Sequence, residues 1–239
     1  MKLPTSDIER LREALAVAKV IDVELAVLAD GKIMGVNDKR DGAIISELQL
    51  GFPSDTKVGI GRVDELTKRL ALFSEGAEAE LKANDRGEVT MITLAAGRSK
   101  VQFRCTSMSL LDRKYPKENA DDPAVVVSFT KAEVGQLSRA TKTLAAEHIV
   151  IKVSKGGATH VECSDSNNDQ FALVLEKPAE FLAAEEPTVF TYRATVTSAL
   201  LDAGARDTDT VDAVIGAGGS LTGIVRGHSL IIMPKATGD

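Results

Sequence analysis

Apolar positions recur at helical spacing in four stretches of the chain. In residues 6–19, Ile8, Leu11, Leu15 and Ala18 share one face, and Ser6 with Glu9 has the spacing of a capping box. In residues 62–74 the same stripe is Val63, Leu66, Leu70 and Phe73. Residues 131–147 place Val134, Leu137 and Leu144 together, behind a second capping box made by Thr130 and Glu133. A shorter stretch, 195–203, ends at Gly204, which reads as its C-cap.

Between the helices lie short alternating or β-branched runs bounded by turn residues. Residues 23–28 and 32–36 flank Asp30-Gly31, and 89–94 and 101–105 flank Ala96-Gly97. Residues 149–153 turn at Gly156-Gly157 into 159–163, followed by 171–175. The last three runs are 211–215, 221–225 and 230–233, separated by Gly218-Gly219 and Gly227-His228. The helices start near residues 6, 62, 131 and 193, a recurrence of roughly 60 residues that predicts a duplicated unit. Residues 112–123 are polar and proline-bearing and predict a linker between a domain at 1–111 and one at 124–239. Antiparallel hairpins with a few helices on one face predict an α+β fold.

Composition narrows the function classes. The chain has 239 residues, 44% of them hydrophobic, without an apolar run long enough to span a bilayer and without a secretory h-region at its start. Cys105 and Cys163 both sit in alternating apolar stretches, which predicts buried thiols in a reducing, cytoplasmic location. A catalytic constellation is hard to find. His148 reads as a helix end, His160 as a surface strand residue and His228 as part of a hairpin turn, and none has a partner at metal-ligand spacing. The run from Asp165 to Asp169 lacks the glycine and terminal glutamate of a calcium loop and reads as a polar turn. Gly59-Ile-Gly61 lacks the Lys-Ser/Thr of a phosphate loop. The expectation is a protein that is not an enzyme and needs no cofactor or metal.

Net charge is −6, so an open, strongly basic surface for nucleic acid is excluded. The positive charge is nevertheless placed unevenly. The helical windows 6–19, 62–74, 131–147 and 193–206 hold 11 Lys/Arg against 8 Asp/Glu, and the remainder holds 18 against 27. In the third helix Lys131, Arg139 and Lys142 share a side with Gly135 and Ser138, opposite the apolar stripe. Lys68 points away from the stripe of the second helix, with Arg62 and Arg69 flanking it. Arg12 and Lys19 share a side of the first, diluted by Glu9 and Glu13. Such faces neutralise few phosphates and predict loose, salt-sensitive contact with duplex DNA. Aromatic residues make up only 4%, which argues against base stacking and sequence readout.

Four segments together carry a family resemblance: Met1-Lys2-Leu3 leading into a helix, Ile60-Gly-Arg-Val-Asp-Glu-Leu-Thr-Lys-Arg-Leu-Ala-Leu-Phe73, Phe129-Thr-Lys-Ala-Glu-Val-Gly-Gln-Leu-Ser-Arg-Ala140, and Ile231-Ile-Met-Pro234. In these the chain resembles the DNA sliding clamps of tailed bacteriophages, distant relatives of the proliferating cell nuclear antigen. The resemblance spans nearly the whole length. It implies a homotrimer of two-domain subunits, with sheet outside and helices lining a ring around duplex DNA. It implies as partners a clamp loader and a DNA polymerase that docks its C-terminal peptide, in the cytoplasm of a host cell. The DNA-facing residues would be Arg12, Lys68, Arg69, Lys131, Arg139 and Lys142, then Arg10, Lys19, Arg62 and Arg193. Subunits would join through the strand of Val101, Phe103 and Cys105 and the strand of Phe171, Leu173 and Leu175. Client peptides would meet Leu110, Leu111 and Tyr115, with Ile45 and Pro234. A β-rich module that binds proteins and never DNA is the alternative.

Overall fold

The computed structural model describes residues 2–48, 50–51, 56–73, 75–111, 121–183 and 186–235. The chain divides into two compact units, Met1–Lys39 with Ala43–Tyr115 and Arg40–Gly42 with Pro116–Asp239. Most of the stretch read as linker, 112–120, lies outside the described residues, and Pro123 already opens a strand. No described helix is long and apolar enough to cross a membrane.

Among the described residues a β-α-β-β-β pattern occurs four times. In the first unit it runs β1 (Lys2–Leu3), α1 (Thr5–Val20), β2 (Leu25–Ala29), β3 (Lys32–Val36), β4 (Gly42–Glu47). It then repeats as β5 (Lys57–Ile60), α2 (Val63–Leu70), β6 (Ala77–Ala83), β7 (Glu88–Ala96), β8 (Ser99–Arg104). In the second unit it runs β9 (Pro123–Thr130), α3 (Lys131–Thr143), β10 (His148–Val153), β11 (Thr159–Ser164), β12 (Gln170–Val174). After a two-residue strand β13 (Glu180–Phe181) the fourth copy is β14 (Thr188–Arg193), α4 (Ala194–Asp207), β15 (Thr210–Gly216), β16 (Leu221–Val225), β17 (His228–Ile232). Short turns make the last three strands of each copy a meander. The first strand of each copy joins the other copy's meander: β1 pairs β6 and β5 pairs β2, and likewise β9 pairs β15 and β14 pairs β10. All of these pairings are antiparallel; a short β5–β7 contact is parallel. The result is an α+β fold with helices packed on antiparallel sheet.

Helix limits follow local physics, and several differ from the pattern-based expectation. Helix α1 starts at Thr5 with Pro4 as N-cap and no side-chain cap, so Ser6 and Glu9 form no capping box. The Pro4 carbonyl accepts from the amides of Asp7 and Ile8 at 3.0 and 3.2 Å. The Thr130–Glu133 capping box is present on α3. That helix stops at Thr143 because Ala145 adopts φ 48°, and the Ala146 amide donates back to the Thr141 carbonyl at 2.9 Å, a Schellman-like closure. His148 therefore opens β10 and ends no helix. Helix α4 runs on to Asp207, so Gly204 is interior and not a cap. A Cβ there would lie 2.9 Å from Val211 Cγ1, and glycine allows the helix to approach β15 that closely. His228 is buried at the start of β17.

The first unit's core gathers Ile8, Leu11 and Leu15 of α1 with Leu66 and Leu70 of α2 and Ile92, Leu94 and Phe103 of the sheet. A second apolar cluster covers the opposite face of β2 and β3. Val27 and Ala29 with Leu111 are buried there, and Leu25, Met34 and Met108 pack against them. Burial on both faces is the reason that β2 is apolar at every position.

Candidate nucleic-acid and partner interfaces

Helix α3 presents the cleanest basic face. Its exposed positions are Lys131, Ala132, Gln136, Arg139, Lys142 and Thr143, with no carboxylate among them. The helix's one acid, Glu133, is buried. Ser138 lies on the other side than the periodicity implied. It is buried against α4, where its hydroxyl donates to Asp202 Oδ2 at 2.8 Å, and Thr141 meets Ser198 at 3.3 Å. These two contacts run in opposite chain directions, so α3 and α4 pack antiparallel. Asp202 also sits 3.9 Å from Lys142 Nζ, leaving Lys131 and Arg139 as the cations of α3 without an ion pair among the described residues.

The first unit is more neutral on its helices. On α1, Arg10 is exposed between Glu9 and Glu13, Arg12 is half-buried, and Lys19 pairs with Asp64 of α2 at 3.3 Å. On α2, Lys68 is exposed and makes no ion pair among the described residues. Arg62 and Arg69 both reach Glu65, at 2.8 and 3.2 Å, and both guanidinium groups lie over the Phe103 ring. Lys19, Arg62 and Lys68 line one shallow cleft with Glu24, Asp64 and Glu65, so its charges balance. Arg193 precedes α4 with its side chain mostly buried and held by Asp41 at 2.8 Å. Of the ten cations the sequence nominated, Arg10, Lys68, Lys131 and Arg139 are exposed and make no ion pair among the described residues, and of these Arg10 alone sits between two exposed carboxylates, Glu9 and Glu13.

The two strands named as subunit joints are both sheet edges. Among the described residues β8 pairs only with β7, and β12 only with β11. Phe103 and Cys105 turn into the core with Val101 packed beside them, and Cys105 falls just past the end of β8. What β8 shows to solvent is Ser99, Lys100, Gln102 and Arg104. On β12, Phe171 and Leu173 are half-buried, Leu175 beyond its end is buried, and Gln170, Ala172 and Val174 face out. The exposed residues flanking β12 are Asp169 and Glu176.

The client-peptide residues separate. Leu110 is 74% exposed on a short 3-10 helix, Met108–Leu111, while its neighbour Leu111 is buried in the second apolar cluster. Ile45 is buried on β4, directly opposite Met34 on β3, and shares that face. Pro234 lies in the second unit past β17, half-buried, and Tyr115 falls outside the described residues. Half-buried Leu25, Met34 and Met108 pack around buried Val27 on this face; Leu25 and Val27 carry no pattern signal because β2 is apolar throughout.

The remaining polar motifs are spent on structure. Asp165 Oδ1 accepts from the amides of Asn167 and Asp169, both at 2.8 Å, closing a hairpin. Gly59 and Gly61 lie directly under Thr106, where a side chain would collide. No group of three His, Cys, Asp or Glu among the described residues is placed to hold a metal. Both cysteines are free and buried, and burial pushes the Cys105 thiol up to about 12 and raises that of Cys163.

The fold is that of a sliding clamp. All of the chain aligns with a DNA polymerase sliding clamp from Bacillus subtilis, with a TM-score of 0.67 and 11% identity. The chain spans 64% of that clamp's length. No protein-family model and no curated protein sequence matches the chain.

Proposed function

We propose that this protein is a DNA sliding-clamp subunit: a non-catalytic, cofactor-free part of a homotrimeric ring that encircles duplex DNA and tethers a DNA polymerase to it. The observation that carries the reading is the alignment of the entire chain on a sliding clamp. The basic face of α3 supports loose, sequence-blind contact with phosphates. Weak contact suffices when topology keeps the ring on the duplex, and an overall charge of −6 limits adhesion elsewhere.

Head-to-tail closure needs one sticky surface at each end of the subunit. In each unit an edge strand with one pairing partner among the described residues supports this, with Lys100 and Arg104 on β8 matched by Asp169 and Glu176 around β12. Pairing these edges would also remove an aggregation hazard. The half-buried Leu25, Met34 and Met108, with Leu110 exposed two residues on from Met108, support docking of a short hydrophobic peptide, such as a polymerase C-terminus. An ATP-driven loader would open the ring. The sequence resemblance to bacteriophage clamps favours a viral origin and action in the host cytoplasm.

Light scattering across a dilution series, followed by polymerase assays on primed circular and linear DNA, tests the proposal. A mass near three times 25.4 kDa and processivity lost on linear DNA with free ends are expected. A monomer at every concentration sinks it.

A further inference from the structure

We infer that Glu133 positions the edge strand β12, tying the start of α3 to the strand through which one subunit would join the next. The functional half of this inference rests on the ring proposed above; the structural half does not. The Glu133 side chain is buried and makes no ion pair among the described residues. Its carboxylate is held by three donors. Oε2 accepts from the Thr130 amide at 2.6 Å and from the Thr130 hydroxyl at 2.8 Å. Oε1 accepts from the Glu176 amide at 2.7 Å, a bond that crosses 43 residues of sequence.

A helix cap needs only the first oxygen and is ordinarily wet. Burying a carboxylate costs several kcal/mol, which here is offset by charge-assisted hydrogen bonds and by the positive end of the helix. The second oxygen serves β12. That strand has five residues and, among the described residues, one ladder, to β11, so its free end would fray on its own. The Leu175 amide continues the ladder to the Thr159 carbonyl at 3.0 Å, and Glu133 then clamps the next amide. The outer edge of β12 is thereby fixed in line with α3.

Glu133→Gln tests this, because a carboxamide has one accepting oxygen and cannot serve both Thr130 and Glu176. Thr130→Val is the comparison: it removes the hydroxyl of the cap and leaves the bond to Glu176. Glu176→Pro deletes the donor without touching α3, and keeps the test open if the glutamine variant folds poorly. Hydrogen exchange of the β12 amides should speed up about tenfold or more in Glu133→Gln and stay near wild type in Thr130→Val. The concentration at which the ring half-dissociates should rise by a similar factor in Glu133→Gln and stay near wild type in Thr130→Val; Glu176→Pro, which also removes a carboxylate from the proposed joint, is read by exchange alone. Equal effects of Glu133→Gln and Thr130→Val on β12 exchange would overturn the inference, as would wild-type exchange in Glu133→Gln. A wild-type protein that is monomeric at every concentration would instead defeat the ring, while the exchange comparison still decides the Glu133–Glu176 link.

Discussion

The Arg69 guanidinium lies 5.4 Å from the centre of the Phe103 ring, which is itself buried at the core side of the edge strand β8. Arg62 lies over the same ring at 5.5 Å, and Glu65 pairs with both arginines. A cation partly withdrawn from water over an aromatic face is bound by about 1 kcal/mol. Arg69→Ala should therefore lower the unfolding free energy by about 1 kcal/mol in a urea titration, and Lys68→Ala by less than about 0.5 kcal/mol. Equal costs for the two substitutions would show that the stacking contributes nothing. Arg69 then acts mainly in packing α2 against β8, and Lys68 is left as the cation of α2 available to a phosphate.

Charge reversal on α3 separates DNA contact from folding. Lys131 and Arg139 are exposed and free of ion pairs among the described residues, so Lys131→Glu with Arg139→Glu should leave melting temperature and assembly mass unchanged. Each lost phosphate contact lowers the slope of log affinity against log salt by about 0.9. The double variant should shorten the products of polymerase on primed circular DNA, with the deficit largest at moderate salt. Unchanged product length would place α3 away from the duplex.

Much of the architecture was readable in the residues because it is decided locally. The Thr130–Glu133 box and the Gly-rich turns report on their own few residues, and the roughly 60-residue recurrence reports on the four helices. Other features are set by distant partners. Strand β6 reads Ala-Glu-Ala-Glu-Leu-Lys-Ala, a string of helix formers, and is extended because β1 and β7 pair with it on either side. Gly204 looks like a helix stop until Val211 is seen against it. Charge on a helix is legible, but whether a cation is already taken is not: Arg193 and Asp41 are 152 residues apart in sequence. The second oxygen of Glu133 is hidden for the same reason.

Adjacent leucines should behave oppositely. Leu110 is exposed and Leu111 buried, so Leu110→Ser should leave stability within about 0.5 kcal/mol of wild type while weakening a bound hydrophobic peptide several-fold. Leu111→Ala should cost about 2–5 kcal/mol by opening a cavity against Val27 and Ala29. Fluorescence anisotropy of a labelled polymerase C-terminal peptide, beside thermal melts, reads both. Undiminished peptide binding by Leu110→Ser would move the client site off this surface.

Gly204→Ala should destabilise, although alanine is the better helix former by about 1 kcal/mol. The added methyl would meet Val211 Cγ1 at 2.9 Å and Cγ2 at 3.2 Å, and crowding of that kind costs about 1–3 kcal/mol. Val211→Ala in the same chain should recover part of the loss. A stabilising Gly204→Ala would show that Val211 gives way to the added methyl at little cost.

Cys105 makes stability fall at alkaline pH. Its thiol, ordinarily near 9.0, is pushed up to about 12 by burial, with a backbone hydrogen bond at Ile92 pulling weakly the other way. A group whose folded value is raised keeps its proton in the native state while the unfolded chain loses it. Its contribution is therefore complete below about pH 9 and disappears as pH climbs towards 12, by up to about 1.4 kcal/mol per pH unit for one proton. The buried Tyr192 hydroxyl, which donates to the Gly219 carbonyl at 2.8 Å, is raised as well and acts in the same direction. Urea midpoints measured from pH 8 to 11 should fall steadily for the wild type and more gently for Cys105→Ala, with the residual slope reduced further by Tyr192→Phe. A wild-type midpoint flat over that range would mean that the thiol titrates as it does in the unfolded chain.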